Sequence, residues 1–329
     1  MKLFGRAPSA WEDRSHPAAG LPGALSCSAG GYVCSDLKSV KSVIHQEKLK
    51  GDNTMTTSEA IRHRRSVRTF DDNTLNAEIL EQLLNFARAQ TNPYDIPISW
   101  FLLDAAKHGL RSPVITGEHT YMTGKLKKVP HGEEAFGYSF EAVLLYAETL
   151  GLGSTWIAGT MNRGAFERAV SLQEGEAMPC VSPIGFPASK MSLRETLMRK
   201  GVRADSRMDF RALFFRDDWN TPLSEQEAGA LRGPLEMVHL APSAVNKQPW
   251  RVLVQGDKIV FFEKRSKGYV GADGWDLQKV DLGIALAHFD LAAREAGLMP
   301  SFTPAESRDL NEDGLVEIGT FVCINPDRQ

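Results

Sequence analysis

The sequence predicts an α+β protein in which one structural unit is written twice. Two long apolar helices recur at a constant offset, helices and strands mix without strict βαβ alternation, and Gly256-Asp257 joins two strand-like runs as a hairpin. The repeat sets GYSFEAVLLYAETLGLGSTW (137–156) against GIALAHFDLAAREAGLMPSF (283–302). Gly137 meets Gly283, Leu145 meets Leu291, Ala147 meets Ala293, Gly151 meets Gly297, Leu152 meets Leu298 and Trp156 meets Phe302. A second match, in the same order, sets LLNFARAQTNPYDIPISWFLL (83–103) against LEMVHLAPSAVNKQPWRVLV (235–254), with Trp100 opposite Trp250 after one gap. The units implied are 55–210 and 211–329.

The elements follow in order. A helix is expected over Asn76–Gln90, with Leu80, Leu83, Leu84 and Ala87 on its inner side. A strand follows at Ser99–Asp104, then a core helix near Tyr138–Leu150, apolar on most faces and ended by Gly151. A helix near Arg163–Ser171 and a strand near Cys180–Gly185 close the first unit. In the second, Ser224 and Glu227 form a capping-box pattern opening a helix to about Leu240. Strands at Arg251–Gln255 and Lys258–Glu263, a core helix over Asp281–Ala296 and a strand near Val316–Ile324 complete it.

Residues 1–54 differ: rich in Gly, Ala, Ser and Pro, without sustained periodicity, they read as a dispensable disordered leader. A secretory signal is disfavoured, because Pro22 interrupts the apolar stretch and Glu12 and Asp13 lie upstream. Met55 directly precedes what reads as a domain start.

Composition bounds the partners. The chain has 329 residues, 42% hydrophobic and 24% charged, with 38 Lys+Arg against 41 Asp+Glu. A net charge of −3 calls for neither nucleic acid nor an anionic membrane surface. No run reaches the roughly 20 apolar residues needed to span a bilayer. Cys27, Cys34, Cys180 and Cys323 have neither metal spacing nor a disulfide framework, which fits a reducing cytoplasm. His131, His239 and His288 are scattered and read as structural. No metal site is expected.

Two distant segments carry the chemistry. RRSVRTF (64–70) places Arg64, Arg65, Ser66 and Arg68 together, and guanidinium forks match phosphate oxygens. Alone, such a run also reads as a solvated basic turn. APSAVNKQPW (241–250) places Ser243, Asn246 and Gln248 between Pro242 and Pro249. Prolines stiffen the backbone while the amides offer donors and acceptors for the polar edge of a planar ring. Alone, it also reads as a loop satisfying its own backbone. LGLGSTWIAG (150–159) lacks the third glycine of a dinucleotide fingerprint and follows a helix, so it supports a Rossmann reading only weakly. Its glycines still permit close approach to a flat ligand. Arg207, in ADSRMDF, is a candidate second phosphate contact or a surface arginine.

With RRSVRTF, APSAVNKQPW, GLGSTWIAG, and PIGFPASK followed by SRMDF, residues 55–325 resemble the nitroreductase family of FMN enzymes. Ordinary members are homodimers with FMN at the subunit interface, one motif coming from each subunit. Here the first unit has RRSVRTF but only TNPYDIPISW where the second motif should stand, and the second unit has the reverse. The chain thus resembles the fused, pseudodimeric branch, which implies one FMN per chain. The resemblance implies that Arg64, Arg65 and Ser66 hold the phosphate and ribityl chain, and that Arg68 approaches the N1/C2 side. It implies that Pro242, Ser243, Asn246 and Gln248 come across from the second unit. Trp156 to Gly159 would line the ring near N5, Ala158 through its N–H, and Arg207 would take the phosphate. The family often has a basic residue two positions before this arginine; here it is Asp205, so Arg203 substitutes or phosphate binding is weaker. The implied activity is ping-pong electron transfer from NAD(P)H to nitroaromatic, quinone or similar small-molecule acceptors. Rivals are a specialised flavin enzyme (dehalogenase, azoline oxidase or flavin-fragmenting type) and a non-catalytic flavin-binding redox partner.

Overall fold

The computed structural model describes residues 55–271, 274–306, 309–311 and 314–324. The leader expected over 1–54 lies outside them.

The chain opens with α1 (Thr57–His63), fixed by a capping box between Thr56 and Glu59, and α2 (Ala77–Ala89), capped by Asn76. β1 (Ser99–Asp104), α3 (Ala105–His108) and β2 (Thr120–Lys127) follow, then the long α4 (Gly132–Thr149). β3 (Gly153–Ser154), α5 (Arg163–Ala169), β4 (Glu176–Ala177), β5 (Val181–Gly185) and α6 (Leu193–Gly201) lead to β6 (Phe214–Arg216). Then come α7 (Arg232–Leu240), β7 (Trp250–Gln255), β8 (Lys258–Glu263), the second long helix α8 (Leu277–Glu295), β9 (Met299–Pro304) and β10 (Val316–Ile324).

The strands form two five-stranded sheets. One has the order β1-β2-β5-β3 with β4 on β2; the other has β6-β7-β8-β10-β9, antiparallel except for the β6–β7 pair. The expected hairpin is present, with Gly256 at a φ of 64° between β7 and β8. The first sheet packs on α4 through Trp100, Met122, Phe136, Phe140 and Ile184, while the second packs on α8 through Trp250, Phe261, Phe289 and Phe321.

The two long helices meet at the glycines that the repeat places opposite one another. A Cβ on Gly137 would lie 2.1 Å from the Val280 carbonyl oxygen, and one on Gly283 would lie 2.1 Å from the Glu134 carbonyl oxygen. No side chain fits either place, so close approach of the backbones requires glycine at both. The contact is reciprocal, because Val280 stands to Gly283 as Glu134 stands to Gly137. Tyr138 on α4 donates to Asp290 Oδ2 on α8 at 2.5 Å, and Arg294 pairs with Asp290 at 3.0 Å.

Several expectations need correction. The capping box at Ser224 and Glu227 exists but opens a 3₁₀ segment, Glu225–Leu231, not one helix to Leu240. Gly229 breaks it at a φ of 55°, and Pro234 sits in the first turn of α7, where its missing N–H is tolerated. Both core helices begin earlier than their apolar runs: Glu133 and Glu134 give α4 an acidic first turn, and the Asp276 cap extends α8. β2 was not foreseen: Gly124 interrupts its pattern, and that glycine leaves room for Ile98, whose Cγ2 would lie 2.6 Å from a Cβ there. β9 escaped notice because Pro300 and Pro304 lie within it, which its edge position allows.

Candidate functional site

The basic segment leaves α1 as extended chain. Arg64 caps that helix, and Val67 donates to the Ser154 carbonyl at 2.9 Å, so Ser66 pairs in parallel with Ser154 of β3. This lays RRSVRTF along the GLGSTW segment. Arg64 turns inward, with 5% of its side chain exposed, and its Nε lies 3.6 Å from Glu141 Oε1. Arg65 instead points to Glu195 on α6, at 3.0 Å and 40% exposed. Glu195 is buried and also accepts from the Arg68 backbone N–H and the Thr69 hydroxyl. Burial lowers the pKa of the Arg68 guanidinium, Glu195 opposes this, and Arg199 and Arg64 add to it.

Glu141, fully buried on α4, organises a network. Its Oε2 accepts from Trp156 Nε1 at 2.7 Å, and its Oε1 meets His288 Nε2 of α8 at 3.0 Å. His288 Nδ1 meets the Met237 carbonyl at 2.8 Å. A carbonyl only accepts, so Nδ1 donates. Burial pushes the Glu141 carboxyl up, but Arg64 and the bonds from His288 and Trp156 outweigh it, leaving the group below its ordinary value. Trp156 packs edge-on against Phe140, with ring centroids 4.9 Å apart. The Ala158 carbonyl is held by Arg163 Nη2 at 2.8 Å, and a Cβ at Gly159 would meet no atom within 4 Å.

The amide loop is built differently. Val245, Asn246 and Gln248 all have positive φ, at 44°, 59° and 49°. Such conformations are held only by surrounding bonds. Asn246 Nδ2 donates to the Arg203 and Ser206 carbonyls at 2.7 and 2.9 Å. Gln248 Oε1 accepts from Met208 N–H at 3.0 Å, and Ser243 Oγ accepts from Gln248 N–H at 2.9 Å. Both oxygens of buried Asp281 receive the Ala244 N–H, at 3.0 and 3.1 Å. Burial drives the Asp281 carboxyl well above its ordinary value; the Ala244 bond opposes this, while Asp276 and Glu263 add to it. Pro242 stands at the loop's entry, following Ala241, the C-cap of α7.

The same bonds tie the loop to the Arg207 segment. Arg207 Nη2 donates to the Leu240 carbonyl at 3.0 Å, and its Nη1 donates to Ala204 and Ser206. Burial lowers the pKa of its guanidinium, and proximity to Arg64 lowers it further, against Asp205. Asp205 pairs with Arg199, while the Arg203 carbonyl receives Asn246. Arg64, Arg68, Arg207 and Trp156 are therefore gathered with the amide loop, whereas Arg65 is directed to Glu195.

An anionic ligand fits this set. Arg64 Nη1, Arg68 Nη1 and Arg207 Nε are buried without a hydrogen-bond partner, as is Ser154 Oγ beside Ser66. A buried cationic N–H without an acceptor costs roughly 2 kcal/mol or more by its desolvation, so three of them, two within electrostatic reach of Arg64, call for negative charge. The residues present fit a flavin phosphate and carbonyl edge. Among the described residues no His, Cys, Asp and Glu group has the makings of a metal site, and no helix is long and apolar enough to cross a membrane.

Sequence reasoning missed Glu141 and Glu195, and read His288 only as structural. Glu141 carried a signal, as a carboxylate within the apolar run GYSFEAVLLYA, where a buried charge demands a partner. His288, in GIALAHFDLAA, carried the same one. Glu195 had none, being one acid in a charged helix.

Comparison with known proteins agrees with the fold. One solved structure, a Thermotoga maritima protein, covers 85% of this chain and 98% of its own length at 20% identity, with a TM-score of 0.55. A Clostridium difficile FMN-dependent nitroreductase covers 43% of this chain and 94% of its own at 16% identity and a TM-score of 0.35. A Vibrio parahaemolyticus nitroreductase A covers 44% and 72% at 19% identity and a TM-score of 0.35. A search of curated proteins finds no match. The family model described as "Putative TM nitroreductase" matches residues 56–293, nearly three quarters of the sequence, and with the α+β fold and gathered arginines in place, the chain belongs to the nitroreductase family.

Proposed function

We propose that this protein is an FMN-dependent oxidoreductase that carries electrons from NAD(P)H to nitroaromatic, quinone or similar small acceptors, in a reducing cytoplasm. The observation that carries the reading is three partnerless buried arginine nitrogens from two segments far apart in sequence, with Arg64 close enough to both Arg68 and Arg207 to lower their pKa. When bound, FMN supplies hydride acceptance and return at its N5, and the protein's work is binding and tuning. Arg64 and Arg207 would hold the phosphate, Arg68 would place a cation by the N1/C2 edge, and Ser66 would bond the ribityl chain. Trp156, Ala158 and Gly159 would flank the ring, while Pro242, Ser243, Asn246 and Gln248 shape its polar side. No side chain need act as a nucleophile, and the kinetics would be ping-pong.

We also read the chain as an intrachain pseudodimer of units 55–210 and 211–329 with one flavin. The reciprocal Gly137–Gly283 contact supports this, as isologous packing pairs each residue with the partner's equivalent. At the repeat's offset, the counterpart of Glu141 is Ala287 and that of His288 is Ala142. The charged network therefore exists on one side of the crossing only, which supports a single site.

The test is the absorption spectrum of purified protein with and without NAD(P)H. Yellow protein that bleaches with NAD(P)H, reoxidises with a nitro compound and holds one flavin per chain is expected. Yellow protein that nicotinamide cannot bleach would favour a redox-partner role, and no affinity for FMN would sink the reading.

A further inference from the structure

We infer that Glu141 is a positioning residue that sets the flavin-facing groups on both segments of the first unit, and that His288 anchors it from the second. The inference rests on the FMN reading above and adds residues that this reading does not contain.

The argument begins with cost. Arg64 is buried, and so is Glu141, which lies between Arg64, Trp156 and His288. A buried guanidinium without a counter-ion does not stay buried; it turns toward water. Glu141 Oε1, 3.6 Å from Arg64 Nε, supplies that counter-ion. That contact uses Nε and leaves Nη1 buried and open. The geometry thus keeps one edge of the fork neutralised and the other available.

Trp156 depends on the same carboxylate. Its indole N–H points to Oε2, which fixes the ring's rotation against Phe140. One side chain on α4 therefore orients a phosphate-binding cation and a ring-flanking indole. His288 holds that carboxylate in place from α8, and its other nitrogen is fixed by the Met237 carbonyl on α7, the helix that leads into the amide loop. The chain of contacts runs from one unit to the other through Glu141.

A contrast isolates this role. Tyr138 and Asp290 also link α4 to α8 by a buried polar contact, but this hydrogen bond and the Asp290–Arg294 pair include no flavin-facing residue. If crossing stability alone mattered, the two links would be equivalent.

The experiment is a double-mutant cycle on FMN affinity, read by titrating flavin-free protein and following flavin fluorescence. Glu141→Gln keeps the volume and removes the charge. It should weaken FMN binding roughly 10- to 100-fold, as for loss of a charge-assisted contact. Arg64→Ala should weaken it comparably, and the double variant should fall well short of the product of the two losses, because part of the Glu141 effect passes through Arg64 and the remainder through Trp156. The Trp156 indole N–H resonance should shift in Glu141→Gln. Tyr138→Phe should lower the melting temperature yet leave FMN affinity within about twofold. Additive losses in the double variant, or an equal loss in Tyr138→Phe, would overturn the inference. If Glu141→Gln does not fold, Glu141→Asp, which withdraws the carboxylate but keeps its charge, enters the cycle with the same non-additivity expected. No FMN binding by the unaltered protein would overturn the flavin reading, and this inference with it; binding with additive losses overturns this inference alone.

Discussion

The basic segment and the amide loop resemble each other in sequence as polar, ligand-ready stretches, yet their polar groups are used in opposite ways. In the loop, the Asn246 and Gln248 amides are bonded to Arg203, Ser206 and Met208, and the backbone is held in strained positive-φ conformations. In the basic segment the backbone is relaxed and extended, while Arg64 and Arg68 keep nitrogens without acceptors. The loop is a finished shape. The arginines are a charge awaiting its complement. Shape is prepaid in folding, and the unmet charge supplies affinity when an anion arrives.

This contrast can be broken most severely at Arg64. Arg64→Ala should weaken FMN binding by roughly 10- to 100-fold by titration and also destabilise the fold, since Glu141 loses a cation. Asn246→Ala should act first on stability. It leaves the Arg203 and Ser206 carbonyls unpaired and removes a residue tolerant of positive φ, costing about 1–3 kcal/mol in denaturant unfolding. Its FMN affinity should fall less than that of Arg64→Ala. Equal affinity losses without destabilisation would mean that the Asn246 amide leaves its carbonyl partners to meet the ligand.

The two regions should also respond to pH with opposite sign. Glu141 is held below its ordinary value of 4.5, so its contribution is present above that pH and is lost as pH falls through the folded value. Asp281, beneath the amide loop, is raised above its ordinary 3.8, so its contribution is full below that pH and is lost as pH rises toward the folded value. Melting curves across pH should show Asp281→Asn flattening the decline on the alkaline side and Glu141→Gln flattening the decline on the acid side. Identical profiles for both variants would contradict the assignment. The smallest effect is expected at Val245, a β-branched residue at a φ of 44° and 59% exposed. Val245→Gly should relieve strain and stabilise by up to about 1 kcal/mol, with FMN affinity nearly unchanged.

How far the sequence reaches depends on the range of the forces involved. Helix α2, strands β1 and β10, and the Gly256 hairpin were legible because periodicity, caps and turn residues act over a few positions. The two glycines of the helix crossing were legible too, since the repeat placed them opposite each other before any packing was known. The arginines and the amide loop announced themselves by composition. The partners they would find did not. Glu141 meets His288 across 147 positions, and Glu195 meets Arg65 across 130. Such pairings follow from how α4 packs on α8 and where α6 lies, which local patterns do not encode. The sequence by itself determined most of the local elements and the candidate charges. Only the tertiary structure decided which of those charges are neutralised and which stay open, because burial makes an unpaired charge costly and burial is a property of the whole fold.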